Sequence, residues 1–140
     1  MTEFNDRVVA QFRRSGGVVG GWGGNLVLIR HRGARSGITR INPAMSIRDG
    51  ESWMVLGSAL GAPRDPGWVF NLRAHPDATI EVAGARGVRV VPVTAEELTG
   101  RERDTAFARF VRMAPSFGEY QAKAGRLLPV IRLRARSTST

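Results

Sequence analysis

Apolar residues in this chain recur at two different spacings, and the switches between them mark its elements. Phe4, Val8, Val9 and Phe12 fall at helical spacing opposite Arg7, Arg13 and Arg14, which predicts a short amphipathic helix. Its expected role is packing against the body of the domain. Docking on an anionic membrane surface through residues 3–14 is the second role open to it. Residues 16–24 then read as a flexible glycine-rich connector with Trp22 as its one aromatic anchor. No GxGxxG register fits there, and no strand precedes it. Residues 25–31, 38–48 and 52–58 read as strands, the last two joined at an Asp49-Gly50 hairpin signal. A Gly/Pro loop covers 59–66, and Pro66 opens a short helix that ends before Pro76.

Two more strands, about 78–83 and 87–93, flank a Gly84-Ala85-Arg86-Gly87 turn. Thr94-Ala95-Glu96-Glu97 has the form of a capping box and predicts a helix running to about Met113. Ser116-Phe117-Gly118-Glu119 has the same form and predicts a helix to about Gly125. The last strand is Val130–Leu133, followed by a polar tail expected to be disordered. Six short strands with late helices predict a single-domain α+β fold on a mainly antiparallel sheet. Closing that sheet into a barrel would remove its edges. The expected division is helix and connector over 1–24, the barrel domain over 25–134 and the tail over 135–140.

Composition narrows the chemistry. At 140 residues the chain is one domain, and no apolar run approaches the roughly 20 residues a membrane helix needs. No secretory signal pattern stands at the N-terminus, so a cytoplasmic location is the default expectation. With no cysteine there is no disulfide, thiolate nucleophile or cysteine metal site. His31 and His75 stand alone, no HExxH spacing is present, and a metal site is not expected. Each histidine reads as a strand-end or loop residue. Neither a GxSxG elbow nor a Ser-His-Asp set can be assembled, and the acidic residues around 96–104 read as a solvated helix face. A chain this poor in catalytic groups either binds without chemistry or relies on a cofactor.

The net charge of +9 is carried almost wholly by arginine, Lys123 being the only lysine. A GC-rich genome would contribute to that bias, yet the field still favours an acidic partner. Nucleic acid is not expected, since no helix-turn-helix, zinc finger or RNA-stacking motif is present.

Three segments carry candidate chemistry. Gly33-Ala34-Arg35-Ser36-Gly37, with Arg40, Asn42 and Pro43 downstream, places two guanidinium forks beside a tight turn whose N–H groups could be free. It suits a phosphate or carboxylate, or is a plain solubilising hairpin. Gly57 to Leu72 joins a strand end to a helix start. Within it Ser58 can donate a hydrogen bond, Trp68 is either a wall for a flat ring or core, and Phe70 reads as core. Pro115 to Gln121 holds the only tyrosine, Tyr120, as ordinary packing or as the cap of a pocket.

Taken together, these segments resemble the deazaflavin-dependent nitroreductase family, whose members use coenzyme F420. The family pattern is a GRKSG-like turn with downstream Arg and Pro, then an ASKGGAPxxPxWxxNL-like segment, then a PxxxxYQxxxxRxxPV-like segment. Here the third runs from Pro115 through Tyr120-Gln121 to Arg126 and Pro129-Val130, and the resemblance spans about residues 25–133.

The resemblance implies a split β-barrel related to FMN-binding flavin reductase-like folds. It implies F420 as cofactor, its phosphate and acidic tail at Ala34, Arg35, Ser36, Gly37 and Arg40. The ring would lie near Asn42, Pro43, Met45, Gly57, Ser58, Ala59, Trp68 and Asn71. Hydride would pass to a quinone, nitroaromatic or other activated small-molecule acceptor, with Tyr120 and Ser58 in catalytic roles. Ala34 stands where the family often has a basic residue, and Ala59-Leu60 where it has Lys-Gly. Met45 and Phe117 replace substrate-side aromatics, so acceptor preference does not carry over. Rival readings are an FMN-binding barrel and, outside enzymes, a cofactor carrier or basic binding module.

Overall fold

The computed structural model describes residues 3–20 and 25–136. Residues 21–24 of the expected connector, Trp22 among them, and residues 137–140 of the expected tail lie outside them, as does the side chain of Phe4. Helix α1 (Glu3–Arg14) precedes strands β1 (Leu26–Arg32), β2 (Thr39–Asp49) and β3 (Ser52–Leu56). A 3-10 turn at Ala59–Gly61 and helix α2 (Gly67–Ala74) lead to β4 (Asp77–Gly84) and β5 (Gly87–Glu97). Helices α3 (Gly100–Met113) and α4 (Ser116–Ala124) come before β6 (Val130–Ala135). The strands close in the order β1-β2-β3-β6-β5-β4, every neighbouring pair antiparallel.

Period-two alternation fills the barrel. Val27 and Ile29, Ile80 and Val82, Val91 and Val93, and Ile131 and Leu133 point inward, and α2 plugs one end with Trp68, Val69 and Leu72. β1 departs from alternation because both its faces are covered: Leu26 and Leu28 pack outward under Val8, Val9 and Phe12 of α1. Val8, Val9 and Phe12 of the α1 stripe are therefore spent on the barrel, as packing demands. A second outer cluster joins Met54, Leu56 and Val130 to Ala106 and Phe110 of α3 and Ala124 of α4. Among the described residues no helix is long and apolar enough to cross a membrane.

Four expectations need correction. Thr94–Glu97 is strand, because β5 continues its inward alternation through Ala95 and pairs Thr94 to Glu97 with Arg134 to Ile131 of β6. Long-range pairing outweighs the local capping signal, and α3 starts only at Gly100. Glu96 and Glu97 are consequently strand residues bonded to Arg132 and Arg73, not a helix face. The helix at Ser116 forms, but Pro115 is its cap residue and no side-chain cap bond is made. Phe70 is not core: it is exposed on α2, with the Arg73 guanidinium 5.6 Å from its ring centre. At the C-terminus β6 extends to Ala135, and Arg136 donates to the carbonyls of Val93 and Ala78.

Beneath α1 the outer face holds a buried carboxylate, Glu81, between two arginines. Arg13 donates to it at 3.0 and 2.7 Å, and Arg30 at 2.9 Å. Burial pushes the Glu81 carboxyl up, but the bonds and charges of Arg13 and Arg30 outweigh it and hold the group below its ordinary range. A depressed native pKa stabilises the fold above the unfolded value and is lost on acidification. Unfolding temperature is thus expected to fall as pH drops below about 4.5, the ordinary glutamate value. Glu81→Gln should lower it at neutral pH, by stranding two guanidinium groups, and flatten the acid limb. Thermal melts across pH test this; an acid limb as steep in the variant as in wild type would place the titration elsewhere.

Candidate active site

β2 changes partner along its length. Its bonds to β1 run from Thr39 to Met45, whereas its bonds to β3 begin at Ser46, opposite Val55. Beyond Ser46 and Val55 the two strands part, and among the described residues no strand takes the open edge. Pro43 belongs on such an edge, since it has no N–H to give a ladder. The split opens into a cavity of about 640 Å³. Asn42, Pro43, Ala44 and Met45 form one wall, and Leu56, Ser58 and Ala59 form the opposite one. Trp68 and Pro66 close one end. Asn5 and Val8 of α1, with Phe117 and Tyr120 of α4, form the roof.

The loop after β3 is shaped from both sides. Gly57 is wedged between Pro129 and Val69: a Cβ there would lie 2.8 Å from a carbon of each. It sits behind the cavity wall. Ala59 has φ +46°, the one described non-glycine residue in the left-handed region, while Gly61 at φ +83° approaches α4 closely. A Cβ on Gly61 would be 3.1 Å from the Tyr120 carbonyl, so a side chain there would push α4 and its tyrosine away. Arg126 fastens the same loop, donating to the carbonyls of Ala62 and Arg64 at 3.1 and 2.9 Å and pairing with Asp65.

Three hydroxyl side chains line this space without a hydrogen-bond partner among the described residues, those of Ser58, Ser116 and Tyr120. Tyr120 is held by its ring: Phe117 meets it edge-on at 6.2 Å, and Phe110 meets Phe117 at 5.9 Å. Its neighbour Gln121 turns away from the cavity. The Gln121 Oε1 accepts from the buried guanidinium of Arg103 and from Leu128 N–H, tying α3 to the approach of β6. Of the third segment, then, Tyr120 reaches the cavity, while Gln121 and Arg126 hold the frame.

The glycine turn lies beside the cavity, not inside it. Gly37 has φ +71°, which a side chain would strain, and Gly33 exchanges bonds with Ile38 and Gly37. Ser36 Oγ accepts from Ile38 N–H at 3.2 Å, and Ala34 N–H is taken by Asn71 at 2.9 Å. The turn is therefore less open than its sequence suggests, with only the N–H groups of Arg35 and Ser36 left over. The side chains of Arg35 and Arg40 are exposed and, among the described residues, have no ion-pair or hydrogen-bond partner. Two unpartnered guanidinium groups, one in the turn and one on the strand that leaves it, form a local positive field.

One residue of the site has no sequence motif behind it. His31, 3% exposed, stands on the inward face of β1 after Val27 and Ile29. It lies 2.8 Å from Asn42 Oδ1 and 2.9 Å from Asn71 Nδ2. Through Asn71 this row reaches Ala34 in the turn. Asn71 is committed to that row and does not line the cavity. Inward alternation along β1 was the available signal for His31.

Comparison with known proteins gives this geometry a family. A family model described as F420H(2)-dependent quinone reductase matches residues 5–134. An F420H(2)-dependent quinone reductase of Mycobacterium tuberculosis is 32% identical over 116 residues, covering 79% of this chain and 73% of that one. Among solved structures, an F420-H2 dependent reductase (FDR-A) superposes with a TM-score of 0.69 at 34% identity, over 79% of this chain and 94% of that one. A second, described as a domain-swapped dimer, gives 0.71 at 32% identity over 92% and 98% of the two chains. On the strength of the match across nearly its whole length, the chain belongs to the F420H(2)-dependent quinone reductase family.

Proposed function

We propose that this protein is an F420-dependent reductase that delivers hydride from reduced deazaflavin to a quinone, nitroaromatic or other activated small-molecule acceptor. The observation that carries the reading is a juxtaposition. A largely apolar cavity with three unengaged hydroxyls, those of Ser58, Ser116 and Tyr120, adjoins a turn bearing two unpartnered guanidinium groups, and one hydrogen-bonded row joins them. That donor set fits a flat ring with an anionic extension. The bound deazaflavin would supply the hydride.

The protein's own residues do the rest. Met45, Trp68 and Phe117 exclude water from the reacting face, and the open β2 edge at Pro43 and Met45 can meet the polar rim of a ring. Arg35, Ser36 and Arg40 hold the phosphate and acidic tail, with Ala34 and Gly37 shaping the turn. Ser58 and Tyr120 direct O–H groups at negative charge developing on the acceptor. A cytoplasmic working place belongs to the same proposal. Any peripheral membrane contact of residues 3–14 would draw on exposed Arg7 and Arg14, since Val8, Val9 and Phe12 are covered by the barrel.

Titration of the purified protein with F420 and with FMN is the deciding experiment. Preferential deazaflavin binding is expected, and tight FMN binding without F420 binding would move the protein to the rival branch. Tyr120→Phe should then lower turnover of a quinone acceptor with cofactor affinity near wild type. A loss of thermal stability alone would make Tyr120 a packing residue.

A further inference from the structure

An asparagine amide turns over at little cost unless its two ends are held by partners of opposite kind. Asn71 is held in that way. Its Oδ1 accepts from Ala34 N–H at 2.9 Å, and its Nδ2 lies 2.9 Å from His31 Nδ1. An amide nitrogen only donates, so His31 Nδ1 is the unprotonated nitrogen. The imidazole proton is then on Nε2, donated to Asn42 Oδ1 at 2.8 Å. The environment agrees with a neutral ring. Burial pushes the His31 pKa down, the Asn42 bond works against that, and the charge of Arg40, its register partner on β2, adds to the lowering. Helix α2 faces the ring with neutral Asn71, and Glu81 of β4 is turned to the outer face with Arg13 and Arg30.

A proton added at Nδ1 would oppose the Asn71 amide donor. Turning the amide repairs that contact but aims its NH2 at Ala34 N–H, again donor against donor. No orientation of Asn71 satisfies both ends, so the state of one buried ring is felt by the backbone of the arginine turn.

We propose that His31, as the neutral Nε2–H tautomer, is a positioning residue. It fixes Asn42 on the cavity wall and Asn71 under the turn, and so sets Arg35 and Arg40 relative to the cavity. The proposal deepens the reading in which cavity and turn hold one cofactor, but two of its three tests need no cofactor.

Nitrogen NMR of the wild-type ring at neutral pH should show Nδ1 unprotonated. Amide exchange at Ala34 should be at least ~10-fold faster in His31→Leu than in wild type. His31→Gln, which offers one acceptor and one donor, should recover most of the protection. With F420, His31→Leu should raise Kd at least ~10-fold while leaving the acceptor KM at saturating cofactor unchanged, a split that general loosening of the core would not give. A proton on Nδ1 at neutral pH, or equal Ala34 exchange in wild type and His31→Leu, overturns the proposal. Should the leucine variant fail to fold, the wild-type tautomer and the glutamine variant decide it. A wild type that does not bind F420 removes the cofactor reading, while the tautomer and exchange results still decide the role of His31.

Discussion

Replacing Arg35 and Arg40 together by alanine is expected to weaken F420 binding by about 10²- to 10⁴-fold and to leave unfolding almost unchanged. Each guanidinium is exposed and unpartnered among the described residues, so no native contact is lost when it is removed. A hydrogen bond to a charged group is worth about 1.5–3 kcal/mol, and each 1.4 kcal/mol is roughly tenfold in affinity. Two such losses on separate parts of a ligand add approximately. The same arginines make a second signature: wild-type affinity should fall as salt rises, because exposed charges about 8–10 Å apart or more are screened at physiological ionic strength. Calorimetric titration of the single and double variants at two salt concentrations measures both. Unchanged affinity in the double variant would reduce the turn to a solubilising hairpin.

Phe110→Ala should give the largest change in stability. Phe110 is fully buried in the cluster beneath α3 and α4, and truncating a buried phenylalanine costs about 3–5 kcal/mol. For a domain of 140 residues that is a fall in Tm on the order of 10 °C. The effect should reach the active site, because Phe110 supports Phe117 and Phe117 supports Tyr120. Turnover is therefore expected to drop at temperatures where the variant is still folded, with the arginine turn and its anion affinity intact. A stable Phe110→Ala protein with wild-type turnover would uncouple that aromatic row from catalysis.

The strands were legible because most are hairpin-joined, and their alternation is enforced by a core within the barrel. Local signals failed where distant pairing won. Thr94–Glu97 spells a helix cap, yet β6 claims it as strand, and nothing within a few residues of Thr94 announces β6. Phe70 shows the opposite error: hydrophobicity suggests burial, but α2 already plugs the barrel with Trp68, Val69 and Leu72 and has no inward place left. The cavity lining at Asn42, Pro43, Met45, Ser58, Ala59, Trp68 and Tyr120 was readable from motifs. His31 was not, because a single histidine has no spacing signature and its partners lie 11 and 40 residues away. Gly57 and Asn71 carry the same lesson in reverse. Both stand in a motif, and both serve packing and the hydrogen-bonded row instead of meeting the cavity.

A strand margin without a neighbour is an invitation to another polypeptide, which can add along it as an extra strand and start aggregation. The open side of β2 is such a margin, and the molecule guards it in three ways. Pro43 withholds one donor, Arg40 sets a charge at its end, and Asn5 and Val8 of α1 stand over it opposite α4. The gap that gives a ligand its place is thus also where self-association would begin. The first helix, which also covers Leu26 and Leu28 and brings Arg13 to Glu81, keeps foreign chains out of it.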